Sequence, residues 1–217
     1  MDIRDAISQR KSIRSFSAEP VPRDKIEEIL RYAIRAPSAS NLQPWEFTVV
    51  MGEEKGRLSR RLVRAFRERR ISCSPGNVRP LSKIFAARGT ESFEGMKLYL
   101  DEMRRDFNRF INEGSCSFYG APVAIIICLD NAFSKARLVD IGAVLGYLVL
   151  AAHASGVWTC PIGLIAAYED DVKDELNVPE EKSVVIGVAL GHPDWESSIN
   201  RFTSPRDRLE AFVRWME

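Results

Sequence analysis

Residues Val123 to Leu129 read Val-Ala-Ile-Ile-Ile-Cys-Leu, an apolar run with no polar break, and this run limits what the rest of the chain can be. A strand with one face in water alternates polar and apolar residues, so a strand without alternation must be covered on both faces. The chain carries suitable covers. Residues 136–155 read as a helix that is apolar nearly all round and therefore buried on most sides. Arg23 to Ala36 reads as a second helix, with Ile26, Ile29, Leu30 and Ala33 on one face, Asp24, Glu27 and Glu28 toward its positive end, and Pro37 as its stop. Residues 53–70 read as a third, with Leu58, Leu62 and Phe66 along one side. Two more strands are predicted, Glu46 to Met51 and Ser183 to Leu190, the latter ended by Gly191-His192-Pro193. Strands that alternate with helices indicate a mixed α/β arrangement.

At 217 residues the chain is expected to form one domain, 1–217, with a self-sufficient core. Residues 71–95 are irregular in outline: Ser74-Pro75-Gly76-Asn77 and Arg79-Pro80 break regular elements, and Gly89 and Gly95 follow. A long irregular stretch in a compact domain is usually functional. It reads as a lid on the substrate side, followed by one helix over roughly 91–112, so that 71–118 forms a variable region. The net charge of +1 gives no bulk attraction to nucleic acid or membrane. The start, Met1-Asp2-Ile3-Arg4-Asp5, is too charged for a signal peptide, and the longest apolar run, Ile141 to Ala152, is short for a bilayer. Cys73, Cys116, Cys128 and Cys160 have no paired spacing and read as reduced, mostly buried thiols. A soluble cytoplasmic protein is the expectation.

Several chemistries lack their motifs. No G-x-G-x-x-G, G-K-[ST] or G-x-S-x-G occurs, and the two histidines, His153 and His192, are too few for a zinc site or a hydrolytic triad. An organic cofactor is the expected carrier of any reaction.

Two segments are candidates for holding one. Arg10-Lys11-Ser12-Ile13-Arg14-Ser15-Phe16 concentrates cations and hydroxyls. Arginine forks and a hydroxyl suit a phosphate dianion, each charge-assisted hydrogen bond contributing roughly 1.5–3 kcal/mol. Composition alone favours ordinary charges at a helix end. Pro37-Ser38-Ala39-Ser40-Asn41-Leu42-Gln43-Pro44-Trp45 offers small residues and exposed backbone to the edge of a planar ring, with Asn41 and Gln43 as donors; it is equally readable as a capped helix exit.

The order R-x-S-x-R-x-F, then P-S-x-x-N-x-Q-P-W-x-F, then a glycine-spaced apolar helix leading to Cys160-Pro161-Ile162-Gly163, then Arg206 before Leu209 to Trp215, resembles the flavin-dependent nitroreductase family over nearly the whole chain. Residues 52–120 match least. The resemblance implies an α+β fold with a central mixed, mostly antiparallel sheet flanked by helices, and a C-terminal arm exchanged in a homodimer holding two FMN at its interface. It implies that Arg10, Ser12 and Arg206 hold the flavin phosphate and ribityl chain. Arg14 would lie near the N1/C2 edge, and Pro161, Ile162 and Gly163 near N5. Pro37, Ser38, Ala39, Ser40, Asn41 and Gln43 would come from the other protomer. Ala39 replaces a common second serine. Ser204 stands where many members carry a lysine, which implies either a weaker phosphate site or one completed by Lys11.

The implied activity is hydride transfer from NADH or NADPH through FMN to nitroaromatics, quinones or similar electron-poor acceptors by a ping-pong sequence. Flavin N5 carries the hydride, with no catalytic side chain and no metal. Reductive dehalogenation and flavin breakdown are alternatives on the same fold. Gly142 and Gly146, one turn apart on the apolar helix, suit close helix contact either within the chain or across a dimer. The arginines from Arg57 to Arg70 admit a nucleic-acid module, although a solvated helix face is favoured.

Overall fold

A computed structural model describes residues 1–73 and 76–217. The break signals at Ser74 and Pro75 lie outside the described residues. The elements run α1 (Ile3–Gln9), α2 (Arg23–Ala33), β1 (Trp45–Met51), α3 (Gly52–Arg69), α4 (Lys83–Glu102), α5 (Phe107–Cys116), β2 (Val123–Asp130), α6 (Leu138–Ala154), β3 (Trp158–Ile162), α7 (Glu169–Leu176) and β4 (Lys182–Gly191).

The four strands form one sheet in the order β1-β2-β4-β3, and every strand pair is antiparallel among the described residues. The fold is α+β. The parallel component implied by a mixed sheet is not found. Alternation of strands and helices failed as a guide because α3, α4 and α5 form an excursion rather than a crossover. The chain leaves the sheet at Met51 and re-enters at Val123, which is the register partner of Met51.

The apolar run behaves as its composition requires. In β2 every residue from Val123 to Leu129 is buried, and alternate side chains enter different cores. Ala124, Ile126 and Cys128 pack with Leu58, Leu62 and Phe66 of α3 and Val172 of α7. Val123, Ile125, Ile127 and Leu129 pack with Ile26 and Ile29 of α2 and with Ile141, Val144 and Leu148 of α6. A third small core joins Met96 and Leu100 of α4 to Ile111, Ile199 and Phe202.

Further details bear on the sequence reading. The irregular stretch 71–95 is helical from Lys83 onward, and the single helix over 91–112 is two helices broken at Met103–Asp106, where Arg104 takes a left-handed φ of 52°. Gly89 and Gly95 sit inside α4 and do not break it. Of the four cysteines Cys73 is exposed, the other three buried. The segment Lys135–Ala154 is, by length and composition alone, long and apolar enough to cross a membrane.

On α6 the buried face stops short of Gly142 and Gly146. A Cβ built at either meets nothing within 4 Å, so neither glycine serves packing inside the chain. Val139 and Tyr147, 75% and 46% exposed, lie along the same helix. The arginines of α3 are largely engaged by α7 and α5. Arg57 pairs with Glu54 and Glu175, Arg61 with Asp171 and Asp174, Arg67 with Glu113, and Arg69 with Asp171. Arg57, Arg60, Arg64, Arg67 and Arg69 nevertheless stay exposed, so the helix presents the solvated face expected of it, partly paired with acidic neighbours.

Candidate functional site

The segment Arg10 to Phe16 leaves α1 and runs along the outer edge of β3. Ile13 donates its backbone N–H to Thr159 O at 3.1 Å and inserts a fully buried side chain. Phe16 bridges to Pro193, and Ser17 donates to His192 O at 2.9 Å. Asn200 completes the anchoring. Its Oδ1 accepts the Arg14 N–H at 2.9 Å, and its Nδ2 donates to Ser15 O at 2.7 Å and Asp194 O at 2.8 Å. Asn200 is only 1% exposed, so one buried side chain fixes the backbone from which Arg14 projects.

Cations meet on this edge without neutralisation. Burial, and then the nearby charge of Arg206, lower the Arg10 pKa. Two guanidiniums drawn from opposite ends of the chain therefore share one neighbourhood. Among the described residues no carboxylate pairs with Arg10, Lys11, Arg14 or Arg206. Arg206 Nη1 is held by Ser204 Oγ and Pro205 O, each at 2.8 Å. Ser204 thus orients Arg206 where a charged residue was the family expectation. Lys11 sits 5.6 Å above the Trp195 ring, and burial lowers its pKa. The Ser12 hydroxyl lies beside the Cys160 thiol, whose pKa burial raises.

His153 belongs to the same neighbourhood. It is 4% exposed, its ring lies 4.2 Å from that of Trp158, and both its nitrogens lack a hydrogen-bond partner among the described residues. Burial, then the charge of Arg10, lower its pKa. Unpaired guanidiniums, a hydroxyl and an orphaned imidazole are donors suited to a phosphate dianion.

Residues 38–43 form a second, separate group. Ser40, Asn41 and Gln43 hold left-handed φ values of 51°, 54° and 48°, each costing about 1–3 kcal/mol, a strain concentrated at ligand clamps. The Gln43 N–H donates to Ser38 Oγ at 2.9 Å, and the Ala39 N–H to Asp140 Oδ1 at 3.3 Å. Asp140 is the one acidic residue of α6, 6% exposed and paired with Arg137. The loop's outer residues, Ala39, Ser40, Asn41 and Gln43, are all exposed, as is Pro37, while Ser38 is half-buried.

A single chain does not bring the two groups together. The loop enters β1 at one edge of the sheet, whereas Arg10 to Arg14 follow β3 at the other, three strand spacings or about 14 Å away. Along α6, Asp140 and His153 are about 20 Å apart by helical rise. Pro161, Ile162 and Gly163 end β3 on the arginine side, with Ile162 buried and Gly163 exposed. Sequence reading missed Asn200, Asp140 and His153 as parts of the site. Only Asp140 had a visible signal, as a lone carboxylate in an apolar helix.

An antiparallel α+β domain with cationic and hydroxyl side chains along one edge of its sheet offers a place for an organic anion. The comparisons give the family. The nitroreductase family model matches residues 7–192. The chain is 32% identical over 221 residues to the chloronitrobenzene nitroreductase of Comamonas testosteroni, covering 99% of this chain and 96% of the relative. It is 29% identical over 218 residues to the 4-nitrobenzoate reductase of Pseudomonas putida, with the same coverage. The solved FMN-dependent nitroreductase NfnB of Mycobacterium smegmatis, in complex with NADPH, superposes with a TM-score of 0.89 at 29% identity, over 99% of this chain and 97% of that one. The chain belongs to the nitroreductase family, a class of oxidoreductases.

Proposed function

We propose that this chain is an FMN-dependent NAD(P)H oxidoreductase that reduces nitroaromatic compounds, with quinones as further acceptors, and that two copies build each site. Bound FMN supplies hydride acceptance and donation at N5. Arg10, Ser12 and Arg206 bind its phosphate, and the backbone of residues 38–43 from the second copy closes over the ring. Arg14 places positive charge at the pyrimidine edge, where negative charge accumulates on reduction. Pro161, Ile162 and Gly163 present backbone groups to the reacting edge. Reductant and acceptor take turns on one face, a ping-pong order.

One observation carries this reading: Arg206 lies near enough for its charge to lower the Arg10 pKa, and among the described residues neither pairs with a carboxylate, in a chain with relatives named for nitroaromatic reduction. The separation of residues 38–43 from that cluster, and the open Gly142/Gly146 face of α6, support the two-copy site. The test is spectroscopic. The purified protein is expected to be yellow or to take up FMN, to bleach with NADPH or NADH under anaerobic conditions, and to recolour on adding nitrobenzene. A protein that stays colourless with FMN in excess overturns the proposal.

A further inference from the structure

Beside Arg14 the structure forms a cavity of about 680 Å³, within the ~300–1,000 Å³ of small-molecule sites. Its walls come from the break between α4 and α5 and from α5 itself. Four arginines line it, Arg14, Arg104, Arg105 and Arg109, against two carboxylates, Asp106 and Glu113. Glu113 is already engaged by Arg67 and Arg109, which hold its carboxyl below the usual range. Asp106 Oδ1 accepts the Arg109 N–H at 2.7 Å as the cap of α5. Among the described residues Arg14, Arg104 and Arg105 have no carboxylate partner. Two aromatic rings also line the cavity, Phe110 and Tyr119, with centroids 5.7 Å apart.

We infer that this cavity is an anion subsite of the acceptor pocket, in which Arg104 and Arg105 hold a carboxylate or similar anionic substituent of an aromatic acceptor while Arg14 joins the subsite to the flavin. The inference rests on the acceptor chemistry proposed above and names its substrate class: anionic rather than neutral nitroaromatics. Among the described residues Arg14 is common to the cavity lining and the expected cofactor positions, and Arg104 and Arg105 line the same cavity, within reach of an anionic substituent on a ring seated in it. Arginine forks bind a carboxylate with two parallel hydrogen bonds, which fixes the ring's direction as well as adding affinity. The same charges suit the 2′-phosphate of NADPH, and the experiment separates the two sources.

Benzoate and benzamide, isosteric and unreactive, are titrated into the FMN-loaded protein while the flavin absorbance is followed. Benzoate is expected to bind at least tenfold more tightly than benzamide at low salt, with the preference shrinking as salt rises. The double variant Arg104→Gln/Arg105→Gln is expected to lose about 10- to 100-fold in benzoate affinity, the scale of one charge-assisted hydrogen bond. The Arg104→Lys/Arg105→Lys variant recovers part of it. The ratio of kcat/KM for 4-nitrobenzoate over nitrobenzene falls in parallel. Equal binding of the two probes, or a benzoate preference that survives the double substitution, overturns the subsite. A variant that keeps its benzoate preference but loses NADPH-over-NADH preference assigns the charges to the reductant and overturns the acceptor assignment. All of these outcomes presuppose a yellow protein that turns over nitrobenzene, so failure of the subsite is distinct from failure of the proposed function.

Discussion

Asn200 and Arg14 are 186 positions apart, yet the buried Asn200 carboxamide accepts the Arg14 backbone N–H at 2.9 Å. Asn200 thus fixes the backbone from which the Arg14 side chain projects, its Nη1 donating to Ser12 O at 3.4 Å. Asn200→Ala removes the bond to the Arg14 N–H together with those to Ser15 O and Asp194 O and leaves buried groups unpaired. Stability is expected to fall by about 1–3 kcal/mol, read from urea unfolding. FMN affinity is expected to fall as well, because Arg14 loses its fixed base.

Arg10 and Arg206 supply charge from opposite ends of the chain. Arg10→Ala or Arg206→Ala is expected to weaken FMN binding by roughly 1.5–3 kcal/mol each, about 10- to 100-fold in Kd. Equilibrium dialysis against FMN measures it. Retention unchanged in the double variant would remove the phosphate assignment.

Gly146→Leu distinguishes packing within the chain from packing between copies. A Cβ there meets nothing within 4 Å, and the substitution replaces a poor helix former. Thermal stability of the isolated chain should hold or rise, while sedimentation shifts toward monomer and FMN is released. A dimeric, yellow variant would contradict a two-copy site built on this face.

His153 gives the apoprotein a pH dependence. Its ordinary pKa is 6.5, and burial followed by the charge of Arg10 lowers the folded value. Below pH 6.5 the unfolded chain therefore binds a proton that the folded chain refuses, so stability falls as pH drops through 6.5 and stops falling only below the folded pKa. Urea midpoints measured without FMN between pH 7.5 and 5 are expected to decline, and His153→Phe should flatten the decline. An identical slope in the variant would show that other groups carry it.

The apolar run of β2, the faces of α2 and α3 and the extent of α6 were legible in the sequence, because burial on one or both faces imposes a period that neighbouring residues must obey. The short strand β3 was not: within Trp158–Ile162 a proline and a tryptophan hide any alternation, and the strand exists because β4 pairs with it. α7, acidic and eight residues long, is held by the arginines of α3 rather than by a strong pattern of its own.

For the site, the order of Arg10, Ser12, Arg14, Asn41, Gln43, Pro161 and Arg206 was readable as a motif series. Which of these residues meet was not. Ser38 to Gln43 and Arg10 to Arg14 stand at opposite edges of one sheet, and a chain's own order says nothing about that separation. Local chemistry is written in neighbouring side chains, and so the sequence determined the helices, the buried strand and the cationic and hydroxyl side chains of the candidate site. Convergence depends on contacts between residues far apart in the chain, and so only the tertiary structure placed Asn200 under Arg14, Asp140 against the loop and Arg14, Arg104 and Arg105 around one cavity.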